Sequence, residues 1–211
     1  MRILELFCGT KSMGKAFEAL GEVTSLDLVP AFEPTICCSI LEWDYKTFPP
    51  GHFDFIWASP PCTQYSIART VGPPRNLAQA DSLVGAALDI ITYFQPRLGW
   101  LMENPATGLL KSRIVIARLP WRDVCYCKYS DGITHRYRKA TRLWGKLDAF
   151  VPRPMCTKAC PCQFLENGAH PTTAQRGPTK RQTSNRFTQT ELYSMPKELC
   201  DSIAAAVALG Q

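Results

Sequence analysis

No window in the 211-residue sequence reaches the roughly 18 uninterrupted apolar residues that a membrane span needs. Internal repeats and low-complexity tracts are absent too, which excludes a solenoid or a long disordered tail. No basic leader with a cleavage site precedes the first apolar run, so an intracellular protein is expected. Acidic residues are the minority, 18 against 24 Lys and Arg, for a formal charge of +6. Most of the basic residues fall between positions 111 and 186. That bias favours a polyanionic partner, although a solvated basic surface explains it equally well. Ten cysteines would suggest a disulfide framework in a short secreted chain. Here the chain is longer and lacks an export signal, so reduced thiols are expected and each cysteine needs its own explanation. With 45% hydrophobic and 20% charged residues, the composition suits one folded domain with a small appendage.

Residues 2–7 form a short apolar run that ends at Cys8-Gly9-Thr10. The next segment carries Met13, Ala16, Phe17 and Leu20 at helical spacing and stops at Gly21. Further strands are expected at 23–27, at 53–58 before Pro60-Pro61, at 98–102 before Glu103-Asn104-Pro105, and at 141–144. A long amphipathic helix is expected over 77–94, and a last helix after Met195-Pro196 with Leu199, Ile203 and Val207 on its apolar face. Strands alternating with helices imply an α/β domain with a mainly parallel sheet. Residues 151–190 change texture to Pro, Cys, Thr, Gln and basic residues and read as an irregular insertion.

In such sheets ligands bind beyond the carboxyl ends of the strands, where Gly9, Asp27, Cys62 and Glu103 all fall in this reading. Gly9 would let backbone amides approach a ligand, and a structural turn explains it as well. Asp27 is placed either to accept from ribose hydroxyls or to cap a turn. Two successive prolines before Cys62 fix a rigid exit from the sheet and aim the next side chain. A thiol there can be reactive, whereas a buried structural cysteine is inert. Glu103 directly follows an apolar strand; half-burial raises a carboxyl pKa and equips it to donate a proton to a ring nitrogen. The run Arg136-Tyr137-Arg138-Lys139-Ala140-Thr141-Arg142-Leu143-Trp144 interleaves cations with aromatics, as nucleic-acid-contacting segments do.

Taken in order, LELFCG, SLD, SPPCTQYS, MENP, RYRKATRLW and YSMPKEL resemble the motifs of the cytosine-5 DNA methyltransferases, particularly their compact phage and viral members. The resemblance covers nearly the whole chain, and Pro-Pro-Cys followed some forty residues later by Glu-Asn is its specific part. It implies a Rossmann-like, S-adenosylmethionine-dependent methyltransferase fold and a double-stranded DNA substrate, with no membrane association and a monomeric enzyme. It implies that Cys62 attacks carbon 6 of a flipped cytosine, that Glu103 engages ring nitrogen 3, that Asn104 orders the pocket and that Arg142 contacts the cytosine carbonyl. For S-adenosylmethionine it implies Phe7, Gly9, Thr10, Lys11, Asp27, Leu28, Ile40, Pro60, Ser194 and Met195. The catalytic core would span 1–145, target recognition 146–192, and the returning motif and helix 193–211.

The chain departs from the family pattern at Lys11 and Ser12, where glycine is usual, at Ser39 for an acidic adenine contact, at Thr63 for a glutamine and at Ala140 for an arginine. Lys11 near the donor's methionine half raises the possibility of a carboxylated S-adenosylmethionine donor and a larger transferred group. An RNA (tRNA) cytosine-5 methyltransferase and a catalytically silent nucleic-acid-binding module stay open as alternatives. Cys156, Cys160 and Cys162 with His170 have the ligand types for tetrahedral zinc, but C-x3-C-x-C is not a standard ribbon; ordinary thiols are the expectation, and no metal is assigned.

Overall fold

The strands of this chain are apolar on both sides, and that requires a layer of helix on each face of the sheet. The computed structural model describes residues 1–157, 170, 174 and 187–210. Among these, β1 (Arg2–Leu6), β2 (Glu22–Asp27), β3 (Ile36–Cys37), β4 (Phe55–Ala58), β5 (Trp100–Pro105), β6 (Trp121–Cys125) and β7 (Ala140–Lys146) form one sheet in the order β3-β2-β1-β4-β5-β7-β6. Pairings from β3 through β5 are parallel, while β7 runs antiparallel between β5 and β6. The expected α/β class with a mainly parallel sheet is what forms. No helix among the described residues is long and apolar enough to cross a membrane.

Successive strand residues feed opposite cores, as the period of two demands. Ile3, Phe55, Trp57, Leu101 and Leu143 pack on one face with Met13 and Phe17 of α1 (Ser12–Phe17) and with Leu199, Ile203 and Val207 of α4 (Lys197–Ala208). Leu4, Leu6, Ile56, Ala58, Met102 and Trp144 pack on the other face against α2 (Leu77–Phe94). The apolar stripe of α2 is Ala80, Val84, Ala87, Ile90, Ile91 and Phe94. Burying each of its larger members contributes about 1.5–3 kcal/mol. The helix starts where the Asn76 side chain accepts from the Gln79 amide, and it ends at Gln95 in the left-handed conformation.

The chain leaves β1 toward β2 and β3 on one side and returns to β4 on the other. The carboxyl ends of β1 and β4 therefore bound a topological switch point, where α/β sheets open a crevice. Two strands are not evident in the sequence pattern. β3 is only two residues long, and β6 is an edge strand whose first three residues keep contact with solvent, which hides its alternation. Glu103-Asn104-Pro105, expected as a turn, instead closes β5, because the register with β7 continues as far as Pro105 opposite Thr141.

Gly145 marks a close approach between β7 and β5. Its φ is +120°, and a Cβ there would collide with the Trp100 carbonyl oxygen. Gly145→Ala is therefore expected to destabilise the fold by on the order of 2–3 kcal/mol, from backbone strain and steric overlap together. Urea unfolding of the two proteins, with unchanged slope and a lower midpoint for the variant, checks it.

Candidate active site

The turn after β1 is built from alternating left-handed residues: Phe7 at φ 57°, Gly9 at 47° and Lys11 at 55°. Such conformations are uncommon for non-glycine residues and hold only where neighbours fix them. Here the Cys8 amide donates to the Leu26 carbonyl at 3.1 Å, and the Lys11 amide to the Cys8 carbonyl at 2.8 Å. The Asp27 carboxylate at the end of β2 accepts from the Gly9 amide and the Val29 amide, each at 2.9 Å. A Cβ on Gly9 would meet nothing within 4 Å, so backbone conformation and open space toward a ligand are what the glycine provides. The turn is tied to the C-terminal segment: Ser12 Oγ lies 2.8 Å from Thr10 Oγ1 and accepts from the Met195 amide at 3.1 Å.

Cys62 follows β4 on a scaffold with several anchors. The Ser59 amide donates to the Leu6 carbonyl, Asn104 Nδ2 donates to the Pro60 carbonyl at 2.8 Å, and the Tyr65 and Ser66 amides both donate to the Cys62 carbonyl. Tyr65 is fully buried and its hydroxyl donates to Asp81 of α2, itself gripped by Arg113 through two oxygens. Burial pushes the Cys62 thiol up, Glu103 adds to the shift, and Lys139 opposes both. Glu103 is raised from the usual carboxylate value by burial, against Lys139 and the nearby Tyr126 hydroxyl. Neither Glu103 Oε1 nor the Tyr126 hydroxyl has a hydrogen-bond partner of ordinary geometry among the described residues. An orphaned, buried carboxyl oxygen facing a cavity is costly unless a ligand satisfies it.

These groups line a single cavity of about 880 Å³. Of the residues singled out from sequence, Phe7, Gly9, Thr10, Asp27, Leu28, Ile40, Pro60, Cys62, Glu103 and Met195 border it. Four do not. Asn104 is buried behind the wall and acts on the cavity through Pro60. Ser194 turns to the Glu191 carbonyl and to His135 Nε2. Lys11 donates from Nζ to the Glu33 carbonyl. Arg142 stands away from the cavity wall, since the register sets it directly opposite Asp123 of β6. There it forms a two-point ion pair at 2.7 and 2.9 Å and stacks on Trp121 at 3.5 Å. Among the described residues, the cations that border the cavity are Arg138 and Lys139, immediately before β7. Both lie in the basic run read from the sequence, but which of its members face inward depends on where β7 begins.

Glu5 also borders the cavity and escaped notice in the sequence, although an acid inside an apolar strand is a visible anomaly. It is 2% exposed, and burial raises its carboxyl to about 7 against the Met13 and Gly14 amides, Lys11 and Lys15. A raised carboxyl pKa costs stability as pH climbs from the ordinary value of 4.5 to about 7, where the folded chain holds the proton more tightly than the unfolded one. The gap is worth on the order of 3 kcal/mol. Glu5→Gln is therefore expected to raise the melting temperature at pH 8 and to lose that gain near pH 5. Calorimetry across this range measures it; an equal gain at both pH values would contradict the burial argument.

No family model matches the chain. Over 174 residues it is 39% identical to the probable DNA (cytosine-5)-methyltransferase of Frog virus 3 (isolate Goorha), covering 76% of this chain and 78% of that protein. Among solved structures it is similar to the methyltransferase EhMeth of Entamoeba histolytica, with TM-score 0.46, 14% identity, and 72% of this chain and 55% of that one covered. It is also similar to a mutant of DNMT2 from Spodoptera frugiperda, with TM-score 0.41, 13% identity, and 74% and 53% covered. The chain thus spans about half the length of these two solved proteins.

Proposed function

The chain belongs to the DNA (cytosine-5)-methyltransferase family, and from that membership we propose that it transfers a methyl group to carbon 5 of cytosine in double-stranded DNA through a covalent bond to Cys62. One observation carries the proposal: Cys62 and the buried, orphaned Glu103 border the same cavity as the Gly9 turn and Asp27.

A cofactor of the S-adenosylmethionine type goes with the family, and the residues on this side of the cavity fit one. Asp27 keeps lone pairs for ribose hydroxyls after accepting two amides. Leu28, Ile40 and Phe32 offer apolar contact for a purine, and Phe7, Gly9, Thr10 and Met195 close the remainder. When bound, S-adenosylmethionine supplies an electrophilic methyl carbon on a sulfonium sulfur. We assign the plain donor, because the Lys11 ammonium is engaged by Glu33 and gives a carboxylated one no support.

On the base side, burial raises the Glu103 carboxyl and so favours the protonated form that donates to ring nitrogen 3. Cys62, as thiolate, adds to carbon 6; the carbon 5–carbon 6 π pair shifts to carbon 5, which thereby becomes the nucleophile. After carbon 5 has gained its substituent, loss of its proton to water returns that electron pair to the ring. The sulfur–carbon 6 bond then breaks, and Glu103 recovers the nitrogen 3 proton. Lys139 serves both steps, favouring the thiolate and neutralising charge as it develops. A stacked base keeps carbon 6 out of reach of a thiol in a cavity, so the target cytosine leaves the duplex. Arg138 beside the cavity meets phosphate. We assign catalysis to 1–145, target recognition to 146–192 and closure of the donor site to 193–211.

Incubation with labelled S-adenosylmethionine and either duplex DNA or tRNA, followed by nucleoside mass spectrometry, tests the proposal. 5-Methylcytosine in the DNA digest is expected. Product in tRNA alone would reassign the substrate to RNA, and product in neither would leave a silent binding module.

A further inference from the structure

Cys125, Cys127 and Cys156 form a hydrophobic cluster of their own, distinct from the two main cores, with Met155 partly buried against it. All three are buried, and their sulfur atoms lie within 4.8 Å of one another. Cys125 Sγ and Cys127 Sγ are 3.4 Å apart, far beyond a disulfide bond length of about 2.05 Å. His170 Nε2 lies 3.3 Å from Cys156 Sγ. On the far side of the imidazole, Nδ1 is 3.0 Å from the Arg136 carbonyl oxygen. A carbonyl only accepts, so Nδ1 carries the proton and Nε2 keeps its lone pair on the side of Cys156 Sγ. That is the arrangement by which a backbone carbonyl orients a metal-bound histidine.

From this geometry we propose that Cys125, Cys127, Cys156 and His170 hold a structural zinc ion. The donor set is Cys₃His, a closed tetrahedral type for zinc. With zinc–sulfur bonds of about 2.3 Å and a zinc–nitrogen bond of about 2.0 Å, tetrahedral angles require S···S near about 3.8 Å and S···N near about 3.5 Å. The separations of 3.4 and 3.3 Å lie within a few tenths of an ångström of those values, and the His170 imidazole moves further to reach all three sulfur atoms. The composition of the cluster points the same way. Thiols buried merely as small hydrophobes would be mixed into one of the two large cores, not gathered beside an imidazole. The C-x3-C-x-C reading of the sequence thus keeps Cys156 and His170 but finds its other two ligands some thirty residues earlier, on the edge strand and the turn after it. Cys160 and Cys162 lie outside the described residues.

The ion would join three stretches far apart in the sequence: the end of β6, the segment at Cys156, and His170 in the region assigned to target recognition. It would also reach the basic run through the Arg136 carbonyl. Its role is independent of methyl transfer, and so is its test. The full-length protein is purified without chelator and its metal content measured; then cobalt(II) alone replaces the native metal. About one zinc per chain is expected. The cobalt form should show the strong visible bands of a tetrahedral site and near-ultraviolet thiolate-to-cobalt charge transfer. Charge-transfer intensity should fall by roughly one third in Cys127→Ser, one of three thiolates being lost. His170→Asn should retain that intensity and bind cobalt more weakly. A wild-type protein with neither stoichiometric zinc nor cobalt charge transfer would overturn the proposal without reliance on any variant folding. So would charge transfer that survives unchanged in the Cys125→Ser/Cys127→Ser double variant, since other ligands would then hold the metal.

Discussion

Cys62→Ala is expected to lower methyl transfer by about 10⁴-fold or more, with the fold and donor binding intact. The loss is large because no group beside Cys62 can take over addition to carbon 6: Ser66 is a far weaker nucleophile, and the Cys8 thiol is pushed up to about 12 by burial. The fold should survive because the loop is held by its backbone. The Cys62 carbonyl accepts from the Tyr65 and Ser66 amides, and Asn104 fixes the Pro60 carbonyl, whichever side chain stands at position 62. Initial rates with labelled donor, paired with calorimetric titration of donor into each protein, separate the two effects. Weak donor binding by the variant would mean that the loop had shifted and that the sulfur's chemistry was not isolated.

Glu103→Gln should cost about 10²- to 10⁴-fold in turnover, the usual worth of a positioned general acid. The amide matches the carboxyl in size and shape within the buried wall, so stability should change little. Glu103 and Cys62 are coupled: burial raises both, and the Glu103 charge raises Cys62 further. The productive pair is therefore a neutral acid with a thiolate. In the wild type, activity should rise with pH as the thiol ionises and fall again as Glu103 loses its proton, giving a bell. Glutamine cannot ionise, so the descending limb should vanish in Glu103→Gln. The variant's Cys62 should also react faster with iodoacetamide at alkaline pH, since a neighbouring negative charge has been removed. A descending limb that persists in the variant would assign the acid elsewhere.

The strongly periodic segments were legible in sequence. The helix over 77–94 follows from its apolar spacing and has those bounds in the fold, and the carboxyl ends of β1, β2, β4 and β5 bring Gly9, Asp27, Cys62 and Glu103 to one cavity. Harder to read was anything decided by register between distant strands. Whether Arg142 faces the cavity depends on which residue of β6 stands opposite, and Asp123 in that position captures its guanidinium. Lys139 gains its place at the cavity by preceding the first residue of β7, a boundary that a continuous basic and aromatic run does not display. β6 is not evident in the sequence because its first three residues keep contact with solvent on both faces and its last two are buried on both, which hides the alternation. With it went the thiols of Cys125 and Cys127, which only the folded sheet edge brings to Cys156.

Trapping the covalent intermediate tests the role of Cys62 most directly. Duplex DNA carrying 5-fluorocytosine at every cytosine presents a carbon 5 that cannot shed its substituent as a proton, so elimination is blocked after methyl transfer, and no knowledge of the target sequence is needed. Intact mass and peptide mapping of the denatured mixture should show, only with S-adenosylmethionine present, a nucleotide adduct on Cys62 that is absent from Cys62→Ala. An adduct mapped to another residue, or methylated product from ordinary DNA with no adduct on the fluorinated duplex, would contradict the mechanism.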